Sequence, residues 1–275
     1  MKNALYILSL VLFILSLTTC QKEFSIETGS LVYDVVAKKY IDSSGITDNT
    51  QKTAINNFVT QLKDSLLWSK FMAIYPMLGG TVASTKWNLK DPRDLDVAYR
   101  LTFYGTPVYV STGILFSTTT DYANTHLPDN LLPGYNDNSM AYYSATQNSK
   151  SGYDMGCSDS KMPWNEFAIY EAYDNTEFFG FHAHAISPTI TKGLFMLSTT
   201  ASDVKRYDNG VVTDSKGSPP TATFTDLPIL LGSVSGAPSV GQRECSFAAI
   251  GGGLTDAEAK AFYNIVQNFE NTLGR

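Results

Sequence analysis

Between Val97 and Gly253 the chain is a succession of short runs rich in β-branched and aromatic residues, each closed by Gly, Pro, Asn or Asp. The runs are Ala98–Tyr104, Ser139–Gln147, Phe167–Tyr173, Glu177–Ile186, Gly193–Thr199, Lys205–Thr213, Pro228–Val234 and Cys245–Gly251. Such residues fit a pleated surface, and the punctuating residues supply the backbone angles that turns require. Many strands with no helical periodicity between them predict two packed sheets. The sharpest local signal is Arg206-Tyr207-Asp208-Asn209-Gly210-Val211-Val212. Asn-Gly tolerates positive φ at both central positions and so builds the type I′ turn of a twisted hairpin.

Helices flank this strand region. Ile55, Phe58, Val59, Leu62 and Leu66 fall on one helical face, and Asp48 or Thr50 is placed to cap the start. At the other end, Thr255-Asp256-Ala257-Glu258 is a capping box, in which threonine and glutamate satisfy each other's exposed N–H groups. Phe262, Ile265, Phe269 and Leu273 give that helix its apolar face, and Gly274 is placed to end it. Both helices are expected at one edge or end of the sandwich, with Trp68 and Trp87 packing the early one against it.

The N-terminus carries a separate instruction. Lys2 supplies a positive charge, and an apolar run follows from Leu5 to Leu17, interrupted only by Ser9 and Ser16. About 20 apolar residues are needed to cross a bilayer. The run is short for a span and fits the core of a signal peptide. Leu17-Thr18-Thr19-Cys20 then resembles the lipobox of bacterial lipoproteins. The resemblance implies a diacylglycerol thioether on Cys20, which becomes the mature N-terminus. Two or three acyl chains make a durable anchor where one is marginal. Gln21-Lys22-Glu23 resembles the charged tag of surface-exported lipoproteins. The expected organisation is a signal peptide over 1–19, a tether over 20–45, a helical lead-in over 46–96 and a sandwich with its C-terminal helix over 97–275. The expected location is the bacterial cell envelope, at the outer membrane or cell surface, with membrane contact through the N-terminal lipid alone.

Charge narrows the partners. The chain has 26 acidic against 20 basic residues, and removal of residues 1–19 takes only Lys2, so the net charge moves from −6 to −7. That balance argues against nucleic acid, which rewards basic patches. Two cysteines remain beyond Cys20. In an oxidising compartment a Cys157–Cys245 bridge and two separate buried thiols both fit. No two cysteines have zinc-site spacing.

Several segments together resemble the concanavalin A-like, LamG-type jelly-roll family. They are the hairpin Arg206–Val211, the strand Leu227-Pro228-Ile229-Leu230-Leu231-Gly232, and Phe247-Ala248-Ala249-Ile250-Gly251 handing over to the terminal helix. Ile74-Tyr75-Pro76, Gly79-Gly80-Thr81, Trp87–Pro92 and Ala98–Leu101 are similar to an uncharacterised bacterial and phage subgroup. The resemblance runs from about Lys63 to Arg275. It implies a mainly β fold, a concanavalin A-like jelly-roll β-sandwich with an early and a C-terminal helix. That fold hosts lectins, adhesive modules, glycosidases and structural domains alike.

Family-16 glycoside hydrolases place acids at i, i+2 and i+4 on one strand, so that a nucleophile and an acid share a face. Glu171, Asp174 and Glu177 stand at i, i+3 and i+6, and Glu166 differs from Glu171 in parity. The pattern fails, and no catalytic residue is assigned. His182 and His184 share a strand face, and His126 is the only other histidine. Without a third ligand they are read as ligand or helix contacts and not as a metal site. Trp164, Tyr170, Tyr173, Tyr142 and Tyr143 are candidate stacking surfaces for sugar C–H faces, and Asn165 and Asp174 candidate hydroxyl partners. Asp121, Asp129 and Asp137 are loop acids of the type calcium takes, although no calcium motif contains them; no cofactor is assigned. The expected function is a non-enzymatic exported lipoprotein with a lectin-like domain for glycans or a cell-surface partner. The alternatives are a structural or adhesive module without a small ligand and, less favoured, a glycoside hydrolase-like enzyme.

Overall fold

The computed structural model describes residues 32–148, 150–159, 166–169, 192–217, 224–235 and 241–275. Tyr33–Arg275 forms one compact unit, built as two sheets with helices laid over one of them. The eight-stranded sheet contains β1 (Phe71–Tyr75), β3 (Val108–Val110), β4 (Gly113–Leu115), β6 (Asn138–Ser144), β9 (Gly193–Thr199), β10 (Asp203–Asp208), β11 (Val211–Gly217) and β14 (Glu244–Gly251). Its order is β11-β10-β9-β6-β14-β4-β3, and β1 joins β14 beyond β4. The six-stranded sheet contains β2 (Thr102–Tyr104), β5 (Tyr122–Pro128), β7 (Met155–Ser158), β8 (Glu166–Ile169), β12 (Pro228–Leu231) and β13 (Val234–Ser235). Among the described residues every strand pairing is antiparallel except β13 with β7. The mainly β, two-sheet sandwich expected from the sequence is what the chain forms.

The central strands of the larger sheet, β6, β9 and β14, are buried on both faces. Along β6 and β9, Ala141, Tyr143, Leu194 and Met196 enter the core under the helices, while Met140, Tyr142, Phe195 and Leu197 enter the core between the sheets. Period-two alternation produces this division. In β14 a bulge between Cys245 and Phe247 resets the alternation, so Cys245 faces the intersheet core and Phe247 faces the helices. Tyr142 and Tyr143 are therefore core residues, 1% and 6% exposed, and not the stacking surfaces expected of them.

The helices are α1 (Val35–Ser44), α2 (Asn49–Asp64), the single turn α3 (Val82–Thr85) and α4 (Asp256–Thr272). Asp48 caps α2 by accepting from the Gln51 N–H at 2.8 Å. The Thr255/Glu258 capping box of α4 forms as its sequence dictates. Phe58 of α2 and Phe262 and Phe269 of α4 converge on Phe247 with ring centroids 5.4, 6.1 and 6.2 Å away. Each fully buried aromatic of this size contributes roughly 1.5–3 kcal/mol. The helices thus cover a sheet face and do not sit at an edge. The apolar character of both faces of β6, β9 and β14 demands such a cover.

Two further expectations change, and one open alternative is decided. The tether assigned to 20–45 includes α1, whose Ala37, Tyr40 and Ile41 are buried in the helix-side core. The lead-in assigned to 46–96 contains β1, an integral strand of the larger sheet. Cys157 and Cys245 are buried thiols and form no bridge. They stand on strands of different sheets, Cys157 beside the Asp129 carboxylate and Cys245 with its Sγ 3.6 Å from the Phe247 carbonyl.

The loop acids proposed for calcium are structural. Asp121 is fully buried and accepts from the N–H groups of Thr106, Ser117 and Thr118 at 2.8–3.1 Å. Asp129 accepts from the N–H groups of Thr225 and Asp226. Asp137 accepts from the Gly253 N–H at 2.6 Å. Among the described residues no group of three or more metal-ligating side chains converges. Burial pushes the Asp121 carboxyl upward, but its hydrogen bonds outweigh this and hold it below the ordinary value of 3.8. A depressed folded-state pKa stabilises above the unfolded value and is lost as pH falls through the folded one. Asp121→Asn should therefore cost about 2 kcal/mol at pH 7, and the difference from wild type should shrink below about pH 4. Urea unfolding of both proteins across that range checks this.

Candidate functional site

The outer face of the six-stranded sheet opens toward its β2 edge. Along β5 the side chains alternate: Ala123, Thr125 and Leu127 point inward and are buried, and Tyr122, Asn124 and His126 are half-buried on the outer face. Strand β2 pairs with register Thr102↔Asn124 and Tyr104↔Tyr122, which sets Thr102 and Tyr104 on that same face. Tyr104 and Tyr122 stack with centroids 4.6 Å apart and planes 12° apart, and Tyr104 remains 41% exposed.

His126 is aimed by a bulge. Leu230 pairs with Asn124 but Pro228 pairs with Pro128, so β5 carries two extra residues opposite β12. His126 takes φ 56°, a left-handed conformation sparsely populated by residues other than glycine. Local side chains hold it there. Asn124 Oδ1 accepts from the His126 N–H at 2.7 Å, and Thr125 Oγ1 accepts from the Leu127 N–H at 3.1 Å while donating to the Ile229 carbonyl at 2.7 Å. The imidazole Nε2 then lies 2.8 Å from Thr102 Oγ1 and 3.5 Å from an Asp96 carboxylate oxygen.

Asp96 comes from a second strained segment. The 3-10 turn Asp96–Ala98 ends at Tyr99, also left-handed at φ 59°. The buried Tyr75 hydroxyl donates to the Tyr99 carbonyl at 2.6 Å. The buried Asn88 amide donates to the Ala98 carbonyl at 3.0 Å and accepts from the Ile74 N–H at 3.0 Å. Arg100 reaches Asp96 at 2.8 Å, and Lys86 reaches Asp94 at 2.5 Å. Burial lowers the His126 pKa, Asp96 raises it and Arg100 lowers it; the net shift is downward, which keeps the ring neutral at pH 7. Two strained backbone positions meeting at one polar cluster are a pattern that accompanies function. The cluster offers two aromatic rings, an amide, a hydroxyl, a neutral imidazole and charges that balance.

The sequence pointed elsewhere. Cys20, Trp164, Asn165, Tyr170, Tyr173, Asp174, His182 and His184 lie outside the described residues. Of the residues gathered here the sequence offers only His126 as a candidate ligand, and it gives Tyr104, Tyr122, Asn124, Asp96 and Arg100 no functional role. The polar–apolar alternation of Tyr122-Ala123-Asn124-Thr125-His126-Leu127 is the signal that would have found them. A second depression, of about 490 Å³, lies at the start of α4 between Thr200, Ser202, Lys205 and Thr255. Its lysine is taken up by Asp256 at 2.9 Å and Asp203 at 3.6 Å, and Tyr207 donates to Asp256 at 2.7 Å. These contacts fasten the β10–β11 hairpin to α4.

No family model and no curated protein matches the chain. Among solved structures it is similar to a Trypanosoma rangeli sialidase in complex with 2,3-difluorosialic acid, at 12% identity and a TM-score of 0.47, over 70% of this chain and 32% of that one. It spans about a third of that enzyme's length. It is also similar to domain 4 of a GH43 extracellular arabinanase from Geobacillus stearothermophilus in complex with arabinotriose, at 15% identity and 0.42, over 70% and 98%. A third is the receptor-binding domain of a botulinum neurotoxin C/D mosaic serotype, at 9% identity and 0.44, over 72% and 51%.

Proposed function

We propose that the chain is an exported, lipid-anchored protein of the cell envelope. In this reading its concanavalin A-like, LamG-type sandwich binds uncharged glycans without catalysis. The observation that carries it is the stacked, partly exposed Tyr104–Tyr122 pair set beside Thr102, Asn124 and His126 on one open sheet face. Aromatic faces receive the C–H faces of a sugar ring, and the neighbouring amide, hydroxyl and imidazole exchange hydrogen bonds with its hydroxyls. Asn124 spends its carbonyl oxygen on the His126 backbone, which leaves its NH₂ to face a ligand. Asp94 and Asp96 are engaged by Lys86 and Arg100, so the local field favours a neutral ligand and leaves no unengaged carboxylate in this cluster for acid–base work. Export and lipidation are supported by the apolar run Leu5–Leu17 and by Leu17-Thr18-Thr19-Cys20.

A second reading, docking of a protein partner on the same face, is favoured by Leu95 and Val97, which stand 47% and 74% exposed around Asp96. A glycan array probed with the chain from Gln21 onward separates the two. The glycan reading expects binding to neutral oligosaccharides, with slowed amide exchange at Thr102–Tyr104 and Tyr122–His126 when the best of them is added. Silence across the array would favour the protein partner.

A further inference from the structure

One end of the helical layer exposes two large apolar side chains to water. The start of α1 and the end of α2 are tied together there: Lys63 Nζ donates to both Asp34 carboxylate oxygens at 2.8 and 2.7 Å, and the Asp34 N–H donates to Asn56 Oδ1 at 2.7 Å. Around this clasp Val35 is 69% exposed and Leu66 82% exposed. Leu66 is the more telling of the two. The Leu67 N–H returns to the Leu62 carbonyl at 2.9 Å, the long hydrogen bond of a Schellman turn, and Leu66 occupies its left-handed position at φ 58°. That position belongs to glycine, and a branched residue there costs about 1–2 kcal/mol. A leucine therefore stands in water at a backbone position that disfavours it. Beside it Trp68 is half-buried, with Lys90 Nζ 3.8 Å and Lys63 Nζ 5.7 Å from its ring centre.

We infer that this surface, Val35, Leu66 and Trp68 with Lys63 and Lys90, rests in the interfacial layer of the lipid bilayer that holds the chain's N-terminus. The inference rests on the lipid-anchor part of the proposed function and adds a protein contact to it. Tryptophan settles at the headgroup level of a bilayer, and here the two lysines flank the indole with their ammonium groups held by protein oxygens, Lys63 by Asp34 and Lys90 by the Trp68 carbonyl. The chain's own connectivity brings lipid to this end. Thirteen residue steps separate Cys20 from Tyr33, a length that reaches at most about 45 Å. A surface that leads directly into such a tether stays close to the bilayer.

The test uses the full acylated chain in phosphatidylcholine vesicles. The chain has three tryptophans, so Trp87→Phe with Trp164→Phe leaves Trp68 as the only indole. The expected result is an emission drop of about twofold when the vesicle lipids carry brominated acyl chains, since an interfacial group lies within roughly 5–10 Å of the acyl boundary. Leu66→Gly combined with Val35→Ser should abolish most of that drop. Leu66→Gly suits the backbone, so on its own it should leave the melting temperature equal or higher. Unchanged emission from a chain that co-sediments with the vesicles would overturn the contact while leaving the anchor intact. Failure to co-sediment would overturn the anchor and the contact together.

Discussion

Replacing Arg243 with methionine is expected to destabilise the protein by about 3–5 kcal/mol. Arg243 immediately precedes β14 of the larger sheet, and Asp154 immediately precedes β7 of the smaller one, so their ion pair pins the two sheets together. Their side chains are 0% and 1% exposed. The guanidinium makes a forked contact to Asp154, with Nε and Nη2 both at 2.7 Å, and also donates to the Lys150 and Gly152 carbonyls at 2.9 and 3.1 Å. Truncation would leave a carboxylate and two carbonyls buried without their donor, which is where the large cost arises. The pair itself need not exceed an apolar replacement. Arg243→Met with Asp154→Leu should therefore recover a good part of the loss. Denaturant midpoints of the three proteins decide this; a loss below about 1 kcal/mol in Arg243→Met would mean that the pair is not the intersheet fastening described.

The second large effect concerns binding. Tyr104→Ala and Tyr122→Ala should each weaken glycan affinity about tenfold, and together remove measurable binding, because truncating an anchoring aromatic costs about 1–2 kcal/mol or more. Stability should change little in the Tyr104 variant, since the residue is 41% exposed and lies on an edge strand. Tyr122→Ala also removes a partly buried ring from β5, so its melting temperature is the necessary companion measurement.

The sequence reveals some elements through local signals alone. Asn209-Gly210 specifies its hairpin, with φ 52° and 73° at the two positions, and Thr255-Asp256-Ala257-Glu258 specifies the start of α4. Gly193–Thr199 is read with its boundaries intact because a run of apolar residues between glycine and threonine has little else to become. Elements defined by distant partners are harder. Phe71–Tyr75 follows a helix and carries no turn signal of its own, and it becomes a strand through pairing with Phe71↔Gly251 to Tyr75↔Ala248. Tyr122–Pro128 contains Asn, His and Pro, poor strand formers, and is held as a strand by β2 on one side and β12 on the other. The candidate site is built on that poorly encoded strand. Its bulge depends on the register against β12, distant in sequence, which no stretch of seven residues can reveal. The layer of helices was written in Met140–Tyr143, Leu194–Leu197 and Phe247–Ile250, apolar at every position where a one-sided sheet would alternate.

The most direct measurement is a calorimetric titration of the chain from Gln21 onward with its best array ligand, beside the Tyr104→Ala/Tyr122→Ala variant shown to be folded by its melting transition. Saturable binding by the first protein and none by the second is the expected result. Equal affinity in the two would place the glycan elsewhere on the molecule and contradict the assignment of the β2–β5 face.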